Sequence, residues 1–251
     1  MSLRLVPWVF ALVSLLLWEG LCRLLAVPVF ILPPPSAVAL SLAKFWQALG
    51  WAALYTLATT AAGFALAIVV GAGLGILIGV SRTVYAGLYP VLIGFNSVPK
   101  VAIVPVLIIW FGSGAVPAVL TAFLISFFPI SVNVATGIAT VEPELRDVLR
   151  ALGARPSDIL LKVGIPRALP YFFAALKVAI TLAFVGAVVA ETAAGSDGVG
   201  ALMMAASARL DVPLVFAGLF VIALLGIAMY AVCARAERRF TFWAQRGDVL
   251  G

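Results

Sequence analysis

The chain has 251 residues, of which 65% are hydrophobic and only 10% are charged. Soluble domains carry roughly 25% charged residues, so this composition excludes an ordinary soluble protein and indicates an integral membrane protein. The net charge of +6 fits basic loops beside anionic membrane lipids, and no RNA- or DNA-binding motif accompanies it.

Several kinds of site are excluded by residue types that the sequence lacks. There is no histidine, which is the commonest general base and metal ligand. Cys22 and Cys233 lie near opposite ends in apolar surroundings, which excludes a Cys-x-x-Cys site and favours two buried thiols. We therefore expect no catalytic residue, no metal site and no cofactor in this chain.

Six apolar stretches come close to the roughly 20 residues that a helix needs to cross a bilayer. We predict an all-α membrane protein with about six transmembrane helices. The first is expected to be retained, because "EGLCR" offers no small-residue cleavage site. The predicted spans are Leu5–Val27, Ala52–Val80, Ala86–Trp110, Val116–Thr140, Tyr171–Glu191 and Pro213–Ala234.

Local patterns refine the first three spans. After the first, "PPPSAVALSLAKFWQAL" predicts a short surface helix with Ser36 as its N-cap. In the second, Gly71, Gly75 and Gly79 share one helical face, which allows close packing within the subunit or, less favoured, a dimer contact. In the third, the segment from Pro99 to Pro105 predicts a kinked helix that faces the protein interior.

The distribution of basic residues predicts the orientation in the membrane. If the N-terminus is inside, eleven basic residues lie in inner segments and three in outer segments, so both termini are expected to be cytoplasmic. The outer three are Arg23, Lys44 and Arg209. The inner eleven are Arg4, Arg82, Arg146, Arg150, Arg155, Lys162, Arg167, Arg235, Arg238, Arg239 and Arg246.

One long polar block, Glu142–Pro170, interrupts the apolar sequence. It predicts two short amphipathic helices outside the bilayer, the first ending at Gly153. The second is expected to be capped by Ser157 and stopped at Gly164–Pro166. Such helices fit either a partner's groove or the lipid headgroups. The apolar stripe of the first helix consists of Leu145, Val148, Leu149 and Leu152.

The block also carries a recognisable spacing of residues. Asp147-Val148-Leu149, Gly153 and Val163-Gly164-Ile165-Pro166 resemble the EAA–glycine–I-x-L-P pattern in the cytoplasmic loop of ABC-importer permeases. Asp147-Val148-Leu149 departs from EAA, whereas the glycine and the final proline match. Most of residues 54–210, including "TLATTAAGFALAIVVGAGLGILIGVSR" and "VVAETAAGSDGVGALMMAA", resembles the nitrate/sulfonate/taurine-type subfamily.

This resemblance implies a type I ABC importer permease fold and a set of partners in the bacterial inner membrane. Two copies, expected as a homodimer, would bind two ATP-binding subunits that use ATP and Mg. A periplasmic or lipid-anchored substrate-binding protein would dock outside. The substrate would be a small nutrient, either an anion such as nitrate, a sulfonate or taurine, or an uncharged pyrimidine or vitamin precursor.

The resemblance also implies roles for parts of the chain. We expect the first transmembrane helix and the interfacial helix in residues 1–50, a permease core in 51–240 with its coupling loop at 141–170, and a cytoplasmic tail at 241–251. The expected ATPase-coupling residues are Asp147, Ala151, Leu152, Gly153, Ala154, Pro156, Ile165 and Pro166.

Polar residues inside the spans are candidates for the translocation pathway, because charge in the membrane is costly. One helical turn links Asn96 to Lys100, with Ser97 beside them; alternatively, Lys100 satisfies carbonyls freed by Pro99 or pairs with an acid. Glu191 either faces water at the interface or makes a gate contact near the outer mouth, with Lys100 or Arg209 as partners.

Two other classes of membrane protein remain as alternatives. A secondary transporter usually shows internal repeats and intramembrane acids, whereas we find no convincing repeat and one candidate acid, Glu191. A membrane-embedded enzyme would need clustered catalytic groups. The lysines Lys44, Lys100, Lys162 and Lys177 follow Ala, Pro, Leu and Leu, so no P-loop is present and the chain is not itself the ATPase.

Overall fold

The computed structural model describes residues 6–243, and within that range all regular secondary structure is helical. Arg4, Arg246 and most of the predicted tail at 241–251 lie outside the described residues. The eleven α-helices of this range are α1 Val6–Leu24, α2 Pro35–Lys44, α3 Trp46–Val80, α4 Arg82–Ser97, α5 Val104–Phe111, α6 Ala115–Ala139, α7 Pro143–Ala151, α8 Pro156–Ile159, α9 Ile165–Ala194, α10 Val199–Ala208 and α11 Val212–Phe240.

Four helix runs in the described residues are long and apolar enough to cross a bilayer, and a bent pair makes a fifth. The predicted first span corresponds to α1, whose 19 residues begin at the edge of the described range. The predicted second span begins earlier than expected, because α3 starts at Trp46. The four runs are Trp46–Val80, Ala115–Ala139, Pro156–Ala193 and Val212–Phe240.

The predicted kink in the third span is confirmed, and it is a full break. Thr83–Ser97 and Lys100–Phe111 meet at 76°, and a short 3-10 turn, Lys100–Ile103, opens the second arm. Pro99 lacks an N–H and disfavours helical geometry in the residue before it. Val98 is accordingly extended, with φ −72° and ψ 127°.

The centre of the bundle is a close contact between α3 and α6. A Cβ atom added to Gly75 would lie 2.6 Å from the Val134 Cβ and 2.7 Å from the Ser131 carbonyl oxygen. Gly71 and Gly79 meet α6 in the same way, because residues four apart share a helical face. The prediction that these glycines pack within the subunit is confirmed. On its other side, α6 packs against α9 through Gly137 and Gly186.

The prediction that Ser36 caps α2 is wrong. The N-cap position is Pro34, which makes no side-chain cap. Instead, the Glu19 carboxylate on α1 accepts from the Ser36 N–H at 2.9 Å and from the Ser36 hydroxyl at 2.8 Å. Arg23 donates to the same carboxylate at 2.6 Å. A negative group near the first turn is favourable for a helix, so an acid from α1 supplies the cap that the proline cannot.

The first helix of the polar block is confirmed. α7 ends with Gly153 at φ +83°, a backbone conformation that glycine adopts without strain. The N–H of Gly153 donates to the Arg150 carbonyl at 2.9 Å, and the N–H of Ala154 donates to the Leu149 carbonyl at 3.0 Å. These two bonds form a Schellman motif, which satisfies the last carbonyls of the helix.

The prediction of a second, separate helix in the block is wrong. α8 does not stop at Gly164–Pro166, because it continues through a π-turn, Leu160–Gly164, into α9. The wider turn comes directly before Pro166, where an ordinary α-turn would clash with the proline ring. Ser157 is not the cap either. Arg155 occupies the N-cap position, and its N–H donates to Asp158 Oδ2 at 3.3 Å.

Candidate functional site

A knob formed by residues 143–156 stands at one end of the bundle and consists of α7 and the turn after it. The predicted apolar stripe of α7 divides into two parts. Leu145 and Leu149 are half-buried against the bundle, whereas Val148 is 56% exposed and Leu152 is 78% exposed. The knob therefore presents two apolar side chains outward, flanked by charged ones.

One arginine anchors the knob to the bundle, and a second makes an exposed ion pair beside it. The Arg146 guanidinium donates to the Ile138 carbonyl at 2.7 Å, in the last turn of α6, where carbonyls lack helical partners. Arg167 on α9 pairs with Glu142 at 3.4 Å. The Arg146 bond thus fixes the knob to α6, whereas the exposed Arg167–Glu142 pair, just before the knob, contributes little to stability.

The predicted coupling residues do not all lie together. Ile165 and Pro166 are half-buried in the first turn of α9, below the knob. The knob itself contains the other six, of which Ala154 is half-buried and the rest are exposed: Asp147, Ala151, Leu152, Gly153 and Pro156.

A cleft of about 530 Å³ lies between the knob and the adjacent ends of α3 and α4. Its wall includes Tyr85 and the charged side chains of Arg146, Asp147 and Arg150. Arg150 and Asp147 pair at 3.3 Å with both side chains well exposed, so this ion pair contributes little to stability. These charged side chains are therefore exposed on the same knob that carries the exposed Leu152.

Lys100 lies at the break between α4 and α5. Its Nζ donates to the Asn96 carbonyl at 2.7 Å and to Asn96 Oδ1 at 2.5 Å. The two residues meet across the break, within the span that the sequence predicted to be kinked. The alternative in which Lys100 satisfies a backbone carbonyl at the break is observed. Asn96 and Ser97 are exposed in the single chain, and their role in a pathway stays a prediction.

Glu191 is 2% exposed, so the expectation of an acid in water at the interface is wrong. Its Oε2 accepts from the Thr56 hydroxyl at 2.9 Å and from the Gly200 N–H at 3.1 Å. Among the described residues it forms no ion pair, so the expected partners Lys100 and Arg209 are wrong as well. The carboxylate lies where α3, α9 and the start of α10 meet.

Sequence reasoning missed an ion pair between two membrane helices. Lys177 on α9 and Glu237 on α11 lie 2.7 Å apart, with side chains 25% and 17% exposed. A basic residue inside one span and an acid near the end of another were visible in the sequence. Charged residues inside membrane spans usually pair with one another. This rule could have predicted that Lys177 has an acidic partner.

Replacing Lys177 with methionine is expected to lower the free energy of unfolding of the detergent-purified protein by about 1–3 kcal/mol. The change leaves a largely buried Glu237 carboxylate without its partner. The double variant Lys177→Met with Glu237→Gln should recover most of the loss, because it removes the unpaired charge. Thermal unfolding curves of the three proteins measure the effect, and additive losses in the double variant would contradict the pairing.

These features together define a class of protein. Several apolar spans around a glycine-packed centre, one broken span with an intramembrane lysine, and an anchored amphipathic knob are typical of a membrane transport subunit. A family model supports this interpretation and extends it. Residues 67–242 match the family described as binding-protein-dependent transport system inner membrane component.

Curated relatives match almost the whole chain. The riboflavin transport system permease protein RibX of Chloroflexus aurantiacus is 37% identical over 234 residues, covering 91% of this chain and 86% of the relative. The formylaminopyrimidine transport permease protein ThiX of Halalkalibacterium halodurans is 30% identical over 241 residues, covering 96% of each. Permeases named for aliphatic sulfonates, nitrate and taurine also match, which confirms the subfamily resemblance.

The fold agrees with the sequence matches. A chain of the MetNI methionine ABC transporter in an inward-facing conformation superposes with a TM-score of 0.68 at 21% identity, covering 78% of this chain and 98% of that one. The chain therefore belongs to the binding-protein-dependent transport inner-membrane family. It is a multi-pass ABC importer permease of the inner membrane.

Proposed function

We propose that this permease forms the translocation pathway for a small nutrient and that residues 143–156 seat a separate ATPase subunit. The observation that carries the proposal is the knob itself, with Leu152 78% exposed and Arg146 fastened to the end of α6. An apolar side chain held outward on a rigid amphipathic helix fits a groove in a partner protein. Asp147, Ala151, Gly153, Ala154 and Pro156 surround this contact. Ile165 and Pro166 support it from the first turn of α9.

The knob end is the cytoplasmic end in this proposal, and both termini are cytoplasmic. Arg146, Arg150 and Arg155 belong to the knob, and Arg238 and Arg239 lie in the last turn of α11. The opposite end carries Lys44 and Arg209. An excess of basic residues marks cytoplasmic segments, which supports this orientation.

Energy comes from the partner in this proposal, since a P-loop is absent from the sequence. ATP and Mg would bind on two ATPase subunits, one for each copy of a permease homodimer. A periplasmic or lipid-anchored substrate-binding protein would deliver the nutrient. Residues 1–50 would contribute the first helix and the interfacial helix, residues 51–240 the permease core with the coupling loop 141–170, and residues 241–251 the tail.

The relatives narrow the class of nutrient. RibX, which is 37% identical, and ThiX, which is 30% identical, are named for riboflavin and formylaminopyrimidine, whereas the permeases named for aliphatic sulfonates, nitrate and taurine are 29% to 34% identical. This supports a pyrimidine or vitamin precursor over a nitrate, sulfonate or taurine-like anion. Identifying the ligand that co-purifies with the cognate binding protein tests the assignment, and a bound inorganic anion would reverse it.

Co-purification from the native host tests the function itself. A tagged permease should bring down an ATPase with a P-loop, and its uptake activity in proteoliposomes should require ATP. A secondary transporter would instead work without such a subunit and would respond to an ion gradient. Gradient-driven uptake by the chain alone would overturn the proposal.

The polar group at the break of the third span supports a place in the pathway. Asn96 and Ser97 are exposed in the single chain at the break of the bent helix pair, and Lys100 lies beside them. Polar groups at membrane depth are covered by protein or face a water-filled cavity. A second copy and a shared pathway would provide both. Glu191 makes internal contacts, and its place in the pathway stays a prediction.

Replacing Lys100 with methionine is expected to reduce uptake and substrate-stimulated ATPase activity by at least about tenfold, since tenfold corresponds to about 1.4 kcal/mol, or one charged hydrogen bond. The chain should still assemble with its ATPase. Lys44→Met is the matched control, because Lys44 lies at the end of α2, away from the break. Unchanged uptake and stimulation in Lys100→Met would leave the lysine with only its carbonyl-capping role.

A further inference from the structure

The start of α10 lacks a local cap. Its N-cap residue is Gly198, with φ +98° and no side chain to accept a hydrogen bond. The first amides of a helix have no helical partners and need acceptors. The Val199 N–H donates to the Thr56 hydroxyl at 3.0 Å, and the Gly200 N–H donates to Glu191 Oε2 at 3.1 Å. Helix α10 is therefore capped by residues of α3 and α9.

The two capping side chains are themselves joined. The Thr56 hydroxyl accepts from Val199 and donates to Glu191 Oε2 at 2.9 Å. Thr56 is fully buried and Glu191 is 2% exposed, so water does not compete for these bonds. We call this pair of side chains the trans-cap. Three helices meet at it: α3 contributes Thr56, α9 contributes Glu191, and α10 contributes two backbone N–H groups.

The turn before α10 is shaped around the Glu191 residue. A Cβ atom at Gly195 would lie 2.5 Å from the Glu191 carbonyl oxygen, and one at Gly200 would lie 2.8 Å from the Glu191 Cβ. A Cβ atom at Gly198 would lie closer still to the Glu191 carboxylate group. These contacts hold only while the turn "GSDGVG" stays seated on Glu191, so displacement of the end of α9 would displace the turn.

Apolar side chains would pack these three helices together as well as Glu191 does. Glu191 Oε1 has no hydrogen-bond partner among the described residues, although the atom is buried. A buried carboxylate that is only partly satisfied is costly. The directional bonds that Glu191 accepts from the Gly200 N–H and the Thr56 hydroxyl are what an apolar side chain could not supply.

Helix α9 connects the trans-cap to the knob. The run Pro156–Ala193 is 38 residues without a break, about 57 Å at 1.5 Å per residue, and it begins in the knob and contains Glu191 near its far end. We infer that Glu191, with Thr56, is a positioning residue that makes α10 follow α9, so that movement of the knob repositions α10 at the opposite mouth. The inference rests on the proposed function for its link to transport, but the trans-cap itself does not.

Hydrogen exchange of the full-length protein in lipid nanodiscs tests the trans-cap directly. Thr56→Val removes the bridging hydroxyl with little change of shape, and Glu191→Leu removes the acceptor. In both, the amides of the first turn of α10 should exchange faster by a factor of roughly 5 to 30, as expected for a lost cap. Glu191→Gln keeps an acceptor oxygen and should restore most of the protection.

Thr121→Val is the matched control. Thr121 is also buried, but its hydroxyl donates to the Pro117 carbonyl within α6, so its removal should leave α10 unchanged. Equal exchange of α10 in Thr56→Val, Glu191→Leu and the control would overturn the inference. In the assembled transporter, Thr56→Val should lower the substrate carried per ATP at least about threefold with assembly intact. Faster exchange with unchanged transport per ATP would overturn the coupling role.

Failure of the proposed function would look different. If no ATPase bound the permease, the exchange measurement on the permease would still report on the trans-cap. The two conclusions are therefore tested separately.

Discussion

Replacing Leu152 with glutamate is expected to release the ATPase from the purified permease. The Leu152 side chain is 78% exposed at the tip of the knob, directly before the glycine that ends the Schellman turn. If it fills a groove in the partner, a buried charge would replace an apolar anchor. Central anchors of this kind are worth about 2–4 kcal/mol, which corresponds to a roughly 30- to 1000-fold weaker association.

The variant should fold normally, because the mutated side chain contacts little of its own chain. Leu210→Glu is the matched control, since Leu210 is 74% exposed at the opposite end of the bundle. Pull-down of the ATPase by each tagged variant, with size-exclusion profiles of the permease alone, measures the result. Retention of the ATPase by Leu152→Glu at the level of Leu210→Glu would place the docking surface elsewhere.

A second change to the knob, Gly153→Trp, is a less clean test of the same surface. The space around Gly153 is open, but its φ of +83° makes any side chain there strained. Loss of the ATPase in that variant would mix a local refolding of the turn with a blocked contact. Leu152→Glu separates these effects, because Leu152 lies outside the left-handed region.

Local signals in the sequence were sufficient to predict α7 and the residue at which it ends. Its apolar spacing and the following glycine act within one or two turns, so no distant residue was needed to predict the helix or its end. The two capping predictions failed for the opposite reason. Ser36 and Ser157 are good cap residues in isolation, but prolines at Pro35 and Pro156 moved the helix starts.

The π-turn also lay beyond local rules. Gly164 and Pro166 ordinarily stop a helix, yet α9 continues because a widened turn accommodates the proline. Packing provides the reason: Gly164 is buried in the described fold, and the helix that follows is one of the core spans. Tertiary contacts thus outweighed a strong local stop signal.

Long-range pairs show the same limit. Glu191 and Lys177 were both visible as charges in spans, but their partners are set by the packing of α9 against other helices. Thr56 is 135 residues from Glu191, and nothing in either local sequence indicates the other. What the sequence did predict was that such residues must have partners, because unpaired charge in the membrane is costly.

The glycine pattern of α3 was predicted well because its physical meaning is simple. Gly71, Gly75 and Gly79 leave room only if another backbone approaches, and α6 does so. The sequence could not say which helix would approach. Gly73 lies on the same helix but off that face, and a Cβ atom added there would have nothing within 4 Å. Gly73 thus shows that only the glycines on the face toward α6 are closely packed.

Replacing Gly75 with leucine is expected to prevent folding of the permease. A Cβ atom alone would come within 2.7 Å of the Ser131 carbonyl oxygen, which is backbone and cannot rotate away. The rest of the leucine side chain would force α3 and α6 apart along their whole contact. Overpacking typically costs about 1–3 kcal/mol and occasionally more; because the α6 backbone itself blocks this site, the resulting protein should aggregate or be degraded before purification.

Gly73→Leu should behave like the wild-type protein or slightly better, because leucine has a higher helix propensity than glycine by up to about 1 kcal/mol. The two variants add the same side chain to the same helix two residues apart, so lipid insertion and hydrophobicity are matched. Yield of monodisperse protein and the midpoint of thermal unfolding in detergent compare them. Equal stability of the two variants would mean that the α3–α6 contact can open without loss of the fold.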